Sequence, residues 1–396
     1  MKIVSLEAYL IDLPFRFSFK HSLASRSNSQ NLIVKAVIAD GARVSAGYGE
    51  GVPRDYVTGE SVHDCLSGVV NEFIPRLVGR TFADNSQLLS LLKSEWLQAG
   101  LDRKARGAAW CALELAVLDA AARNANLTVA QLLSGQRQTI TDIVYGAVIP
   151  FAGPKALNAV LWFYKAFGFK TVKIKVGSDL EFDLFKLRKA RQILGPSVKL
   201  RVDANCAWSA QQTIQAAEKM RAFAVSSYEQ PVPADDLEGL AYVTANIPEL
   251  VMADESLCTV SDAHHLAEKG IVSAFNIRLS KVGGILAARE IAAVAKQAKI
   301  KCQMGAQVGE SGILSAAGRS FASLFPDFEN YEGSNNFFLL RQDITAENLN
   351  VGWGGKGRVL QKAGLGITVI PERLERVKIS HGQKDESQRL VCQSIE

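Results

Sequence analysis

The chain lacks the cysteine patterns that hold metals or staple small domains. Its six cysteines (Cys65, Cys111, Cys206, Cys258, Cys302 and Cys392) are scattered over 396 residues with no Cys-x-x-Cys. That spacing excludes a thiolate zinc cluster and a disulfide framework, and fits free thiols in a reducing compartment. Long uncharged apolar runs are also missing. The longest apolar stretch, Ala108 to Ala122, carries Glu114 and Asp119, so it reads as a core helix and not a membrane span. There is no Lys/Arg-rich run, and a net charge of +5 is mild for this length. A nucleic-acid partner is therefore not expected. Met1–Leu6 alternates like a short strand and does not resemble a signal peptide, so the expected location is cytoplasmic.

What is present is a large apolar fraction, 48%, enough for a soluble protein of two or three domains at roughly 150 residues each. Residues 1–60 read as β-rich. Ile3–Leu13, Leu32–Asp40 and Val44–Glu50 largely alternate apolar and polar positions, with Asp40-Gly41 as a turn. Between the first two runs, residues 16–31 are mostly polar and include His21 and Arg26. They are expected to form a surface loop long enough to be a lid. Helical spacing follows over Ser61–Val78, Ser86–Leu97 and Ala105–Asn124. The first third thus predicts a small α+β domain.

From about residue 140 the pattern changes. Eight short β-branched or apolar runs alternate with helical segments: Ile143–Ile149, Thr171–Val176, Val198–Val202, Val225–Tyr228, Leu250–Ala253, Ala274–Leu279, Ile300–Met304 and Glu329–Glu332. Eight β/α units in some 200 residues predict a (β/α)8 TIM-type barrel. A doubly wound sheet is the alternative, but no Gly-rich dinucleotide loop follows any run. The expected organisation is a capping domain over 1–130, a barrel over 131–355, and a segment over 356–396 that returns to the capping domain.

Thr171–Gly177 is the chemically informative stretch. Lys173 and Lys175 stand two apart in a strand, so both point to one face. Two buried ammonium groups side by side need negative compensation. Acids that could supply it recur at even intervals. It is 28 residues from Lys175 to Asp203, 26 on to Glu229, 25 to Asp254, and 27 more to Lys281. One β/α unit per step would place all of these at the C-terminal end of the barrel, where barrel enzymes keep their active sites. Asp203, Glu229 and Asp254 then lie on neighbouring strands. Three such carboxylates stay ionised together only beside a cation. An oxygen-only ligand set favours a hard divalent ion, Mg2+ first with Mn2+ as its substitute. Lys175 and Lys281, four strands apart, are expected to face each other across it. This arrangement suits removal of a proton α to a carboxylate, with a metal on the developing enediolate and lysine as base.

At these residues the chain resembles the enolase superfamily, and within it the muconate lactonizing enzyme subgroup of the mandelate racemase/muconate lactonizing enzyme family. The resemblance spans nearly the whole chain and rests on Lys173-Ile-Lys175, Asp203-Ala-Asn205, Glu229-Gln-Pro231, Asp254-Glu-Ser256 and Lys281-Val-Gly-Gly284. It implies Lys175 and Lys281 as acid/base catalysts, the three acids as metal ligands, and Lys173 as partner of the substrate carboxylate. It also implies a capping loop, here 16–31, that closes over the substrate and could place His21 and Arg26 against it. Asn205 and Glu255 are expected to orient the metal ligands. Glu310 resembles a glutamate found after strand 7 in several members, and is a candidate substrate contact. A small carboxylate substrate and a homo-oligomer are implied. The reaction would be that of a cycloisomerase or a racemase/epimerase, with a succinylbenzoate-type dehydratase (a lyase) as the alternative. Dipeptide epimerases of this type carry Asp-x-Asp on strand 8. Glu332-Gly-Ser-Asn-Asn336 stands there instead, which argues against a dipeptide bearing a free ammonium. A Schiff-base aldolase and a non-catalytic carboxylate-binding relative are the readings outside this chemistry.

Overall fold

The structure is a computed structural model that describes residues 1–20, 25–101, 106–149, 153–334 and 336–379. The chain begins with three antiparallel strands, β1 (Lys2–Lys20), β2 (Ser25–Asp40) and β3 (Arg43–Gly51). The helix Gly107–Asn124 lies across this sheet. Its close approach is written into β3. Gly47, Gly49 and Gly51 share one face, and a Cβ on any of them would sit within 2.1 Å of the helix backbone. Alanines line the opposing helix face, so backbone meets backbone with little side chain between.

Within the expected loop 16–31, the described residues 16–20 and 25–31 are strand. β1 and β2 run on past it as a two-stranded arm, with Phe19 paired to Arg26 and Lys20 to Ser25. The register breaks between Pro14 and Phe19. Proline offers no N–H to the ladder, and the residues after it pair elsewhere. Phe15 bridges Leu340, and the Arg341 N–H donates to the Pro14 carbonyl at 2.9 Å. The arm is thereby tied to the segment that follows the last barrel strand. Part of its polar composition is internal, since Ser29 and Asn31 are buried and bonded to Arg54 and Glu50, a pairing that sequence cannot tell from a polar loop.

The second part is a ring of eight parallel strands in chain order: β5 (Ala147–Ile149), β6 (Thr171–Lys175), β7 (Lys199–Asp203), β8 (Val225–Glu229), β9 (Leu250–Ala253), β10 (Ala274–Ile277), β11 (Lys301–Met304) and β12 (Asn330–Tyr331). The Gly146 N–H donates to the Tyr331 carbonyl at 2.8 Å, which joins the first strand to the last. Seven of the expected runs become barrel strands within two residues of their predicted ends. The run 143–149 divides. Its first part, β4 (Asp142–Val144), pairs antiparallel with β13 (Lys356–Arg358), and only its second part enters the ring. After β13 the chain crosses to the first sheet, where the Ile379 N–H donates to the Leu10 carbonyl at 2.9 Å. One apolar core runs through both parts.

Three helices in this assembly begin without a side-chain cap from the preceding residue, or with a partial one, and receive a distant glutamate. Glu60 accepts from the Ala108 and Ala109 amides at the start of Gly107–Asn124. Glu114, on that helix, accepts from Ile285 and Leu286 at the start of the barrel helix Ile285–Ala298. Glu50, on β3, accepts from Ser311 and Leu314 at the start of Gly312–Leu324. Carboxylates at helix N-termini satisfy orphan amides and meet the positive end of the dipole. Two of these three contacts join the first domain to the barrel.

Candidate active site

The C-terminal ends of the barrel strands carry the expected charges. Lys175, Asp203 and Glu229 are each the last residue of their strand, and Lys175 pairs with Asp203 and, past a register shift earlier in β7, Asp203 with Glu229. Asp254 follows β9 directly. All are buried. The in-phase strand ends are what the even spacing in sequence predicts.

Lys173 and Lys175 do point to the same side, and each has its own acids. The Lys173 ammonium donates to both Glu229 oxygens at 3.0 Å and to Glu332 Oε2 at 2.7 Å, with Asp203 at 3.4 Å. Burial works against its charge, but the Glu229, Glu332 and Asp203 carboxylates outweigh that and raise its pKa above the ordinary lysine value. Lys175 donates to Asp203 Oδ2 at 2.6 Å and to Asn205 Oδ1 at 2.5 Å. Asn205 passes the chain on to Glu255 Oε1 at 3.2 Å. The other Glu255 oxygen is buried without a hydrogen bond, and burial together with Asp254 pushes this carboxyl up to about 7. Asn205 and Gln230 follow their strands with φ of +44° and +33°. Such backbone is strained for residues other than glycine, and strain of this kind concentrates at functional sites.

Several members of the cluster were not singled out from sequence. Arg201 donates to Glu332 Oε1 at 2.6 Å. Asn276 and Gln303 donate to the two Glu229 oxygens at 2.9 and 3.2 Å. Arg278 pairs with Asp254, approaches Glu229 at 3.5 Å and donates to Gln307 at 3.2 Å. The signal that could have found them is the two-residue period, because Arg201, Asn276 and Arg278 lie in phase with known inward positions.

A cavity of about 430 Å3 opens above this layer. Lys173, Lys175, Asn205, Glu255, Arg278 and Glu332 line its floor. Phe163, Tyr164, Phe167 and Phe169 contact one another ring to ring and form an aromatic wall, and Phe17 and Phe338 also line the cavity. Glu310 also lines it, accepts from the Gln307 amide at 2.6 Å, and is pushed up to about 8 by burial.

Other expected positions fall elsewhere. Lys281 is not among the residues lining the cavity. It sits in the short helix Leu279–Val282 and donates to the Asp254 carbonyl, to Asp254 Oδ1 at 2.8 Å and to the Asn276 carbonyl at 3.0 Å. Arg26 stacks on Tyr56, 5.7 Å from the ring centre, and Tyr56 in turn lines the cavity. His21 lies outside the described residues. Asp203, Glu229 and Asp254 are clustered, but each is bonded to lysine or arginine. Among the described residues no three acidic, histidine or cysteine side chains form a preformed metal-holding group. In this arrangement the three acids pair with Lys173, Lys175, Lys281 and Arg278. No helix among the described residues is long and apolar enough to cross a membrane.

Known proteins resemble the chain in sequence and fold. Residues 6–134 match the family model for the mandelate racemase/muconate lactonizing enzyme N-terminal domain, and residues 157–373 match the enolase C-terminal domain-like model. A hydrophobic dipeptide epimerase of Enterococcus faecalis is 33% identical over 323 residues, covering 80% of this chain and 86% of that protein. The crystal structure of a dipeptide epimerase from that organism, complexed with Mg and the dipeptide L-Leu-L-Tyr, superposes with a TM-score of 0.83 at 27% identity, over 93% of this chain and 100% of that one. The N-succinyl Arg/Lys racemase of Bacillus cereus superposes with a TM-score of 0.86 at 27% identity, over 96% of this chain and 99% of that one. The chain belongs to the mandelate racemase/muconate lactonizing enzyme family of the enolase superfamily.

Proposed function

We propose that the protein is a divalent-metal-dependent isomerase that removes the proton α to a carboxylate. The observation that carries this reading is Lys175, which opens into the cavity in register with Asp203 and Glu229 on the next two strands.

The donor set fits a hard cation. Asp203, Glu229 and Asp254 offer oxygen only. Lys173 touches both Asp203 and Glu229, and Arg278 touches both Glu229 and Asp254, so the three acids already share positive centres. They would hold Mg2+, or Mn2+ in its place, with Asn205 and Glu255 orienting them. Such an ion supplies positive charge to the substrate carboxylate and stabilises the enediolate formed when the proton leaves.

The side chains of this protein do the rest. Lys175 in its neutral form takes the α-proton and returns it as ammonium. Lys173 adds a fixed positive charge at the substrate carboxylate. The aromatic wall excludes water and fits an acid with a sizeable apolar group. Glu332 already bonds Lys173 and Arg201, which supports a substrate without a free ammonium beside strand 8. A lyase shares the first step and is the second reading.

Two measurements test the proposal. With Mg2+ in D2O, N-acyl amino acids bearing apolar side chains should lose the α-proton signal in NMR spectra. Lys175→Ala should slow that loss by about 10²- to 10⁴-fold, the usual worth of a positioned base. Crystals soaked in Mn2+ should show anomalous density among Asp203, Glu229 and Asp254. Absence of density there overturns the metal assignment.

A further inference from the structure

Proton transfer needs a group that can give up its proton and reach the substrate. On the β6 side the cavity is lined by an amine, Lys175. The opposite side of the ring is β10, four strands away. The residue that lines the cavity from that side is Arg278. It continues β10 in extended conformation, φ −114° and ψ 119°, two residues after the inward-facing Asn276. A guanidinium keeps its proton throughout the neutral range.

Lys281 cannot take its place. It is 1% exposed and its ammonium makes three hydrogen bonds, the full donor count of a lysine. Its backbone also packs on the first domain, where a Cβ on Gly107 would meet the Lys281 carbonyl oxygen at 2.1 Å. The short helix is held from outside the ring and its side chain is spent inside the wall. Turning Lys281 into the cavity would break all three bonds.

We propose that Arg278, and not Lys281, is the group facing Lys175, and that proton traffic in this enzyme is confined to one face of the substrate. The inference rests on the α-proton reading above. In the first step the Cα–H bond breaks, the proton passes to Lys175 Nζ, and the electron pair moves into the conjugated carboxylate. The reverse step returns a proton to the same face. If Cβ carries an oxygen leaving group, the pair instead forms the C=C bond and the departing oxygen takes the proton from Lys175. Inversion at Cα needs a donor on the second face, and Arg278 holds fixed charge there. The reaction class is therefore a same-side 1,2-addition or elimination, including lactone opening and closing, and not a racemisation.

The test uses the full chain with Mg2+ in D2O and a panel of N-succinyl and N-acetyl derivatives of L- and D-phenylalanine and leucine. NMR follows loss of the α-proton, and chiral chromatography follows configuration. Exchange with retention is expected, with inversion slower than exchange by about 100-fold or more, the penalty for lacking one positioned acid. Arg278→Lys places a titratable amine on the second face and should raise the ratio of inversion to exchange by about tenfold or more. Inversion keeping pace with exchange in the unaltered protein overturns this inference while leaving the α-proton reading intact. An Arg278→Lys enzyme that exchanges but never inverts also overturns it. No exchange from any acid in the panel overturns the α-proton reading and the inference with it. Amine-reactive acetylation with peptide mass spectrometry checks the geometry without turnover. Lys175 should be modified in the folded protein and Lys281 should not, and equal labelling of both contradicts the assignment.

Discussion

Glu332 bonds two cations at once, Lys173 at 2.7 Å and Arg201 at 2.6 Å. All three side chains are buried. Removing one partner of such a group strands the others, which costs about 3–5 kcal/mol in buried pairs. Glu332→Ala is expected to lower the thermal midpoint accordingly, as followed by circular dichroism. Retained stability would mean that Asp203 and Glu229 alone satisfy Lys173. At this scale the sequence was legible wherever a residue ended a strand in phase with its neighbours. Lys175, Asp203 and Glu229 could be placed because each strand is five residues long and starts at a clear boundary. Arg278 and Lys281 could not be ranked by spacing, since both lie within four residues of the end of β10. The choice depends on whether the strand conformation continues through Arg278 before the short helix begins. The two-residue period counted from Asn276 would have favoured Arg278. The bond from Arg201 to Glu332 has no signal in the sequence, because it depends on which strands close the ring.

The contact between β3 and the helix Gly107–Asn124 is the tightest between elements of the first domain. At Gly49 a Cβ would lie 2.0 Å from the Ala112 carbonyl oxygen and 2.5 Å from the Ala116 nitrogen. Backbone cannot yield as a flexible side chain can. Gly49→Ala should push the helix off the sheet and destabilise the fold by about 1–3 kcal/mol, the usual cost of overpacking. Urea denaturation followed by tryptophan fluorescence would read it, because Trp110 is on that helix and buried. The helix was evident from its spacing, and small residues on both faces explain its close approach to β3. The arm formed by β1 and β2 was not evident. Its buried positions include polar Ser29 and Asn31, which give no apolar signal, and the partner that fixes it, Leu340–Arg341, lies over 300 residues away.

At the level of the whole molecule, buried acids join the two parts. Glu114 comes from the first domain and holds the start of a barrel helix. Burial is the leading cause that pushes its carboxyl from 4.5 up to about 8, against the pull of the Leu286 and Ile285 amides. The folded protein therefore keeps a proton that the unfolded chain releases between those values. Stability should be full below pH 4.5 as far as this group is concerned, and should fall as pH rises towards 8. Thermal midpoints across that range should decline less steeply in Glu114→Gln than in the unaltered protein, and parallel curves would assign the decline to other groups. The barrel itself was the most legible feature, since eight units with one polar residue at the same height in most of them leave few alternatives. The way the domains meet was not, because Glu50 and Glu114 look in sequence like one strand residue and one helix residue among many.

Those same glutamates bear on how the chain is made. A ribosome releases the first domain well before residues 285 and 312, and domains fold in that order during synthesis. Glu114 and Glu50 are therefore already in place when the helices Ile285–Ala298 and Gly312–Leu324 emerge. The last quarter of the ring matures against a template supplied by the opposite end of the chain. Lys281 immediately precedes the first of these segments, so closure of the barrel and the sealing of that lysine into its wall become a single late event.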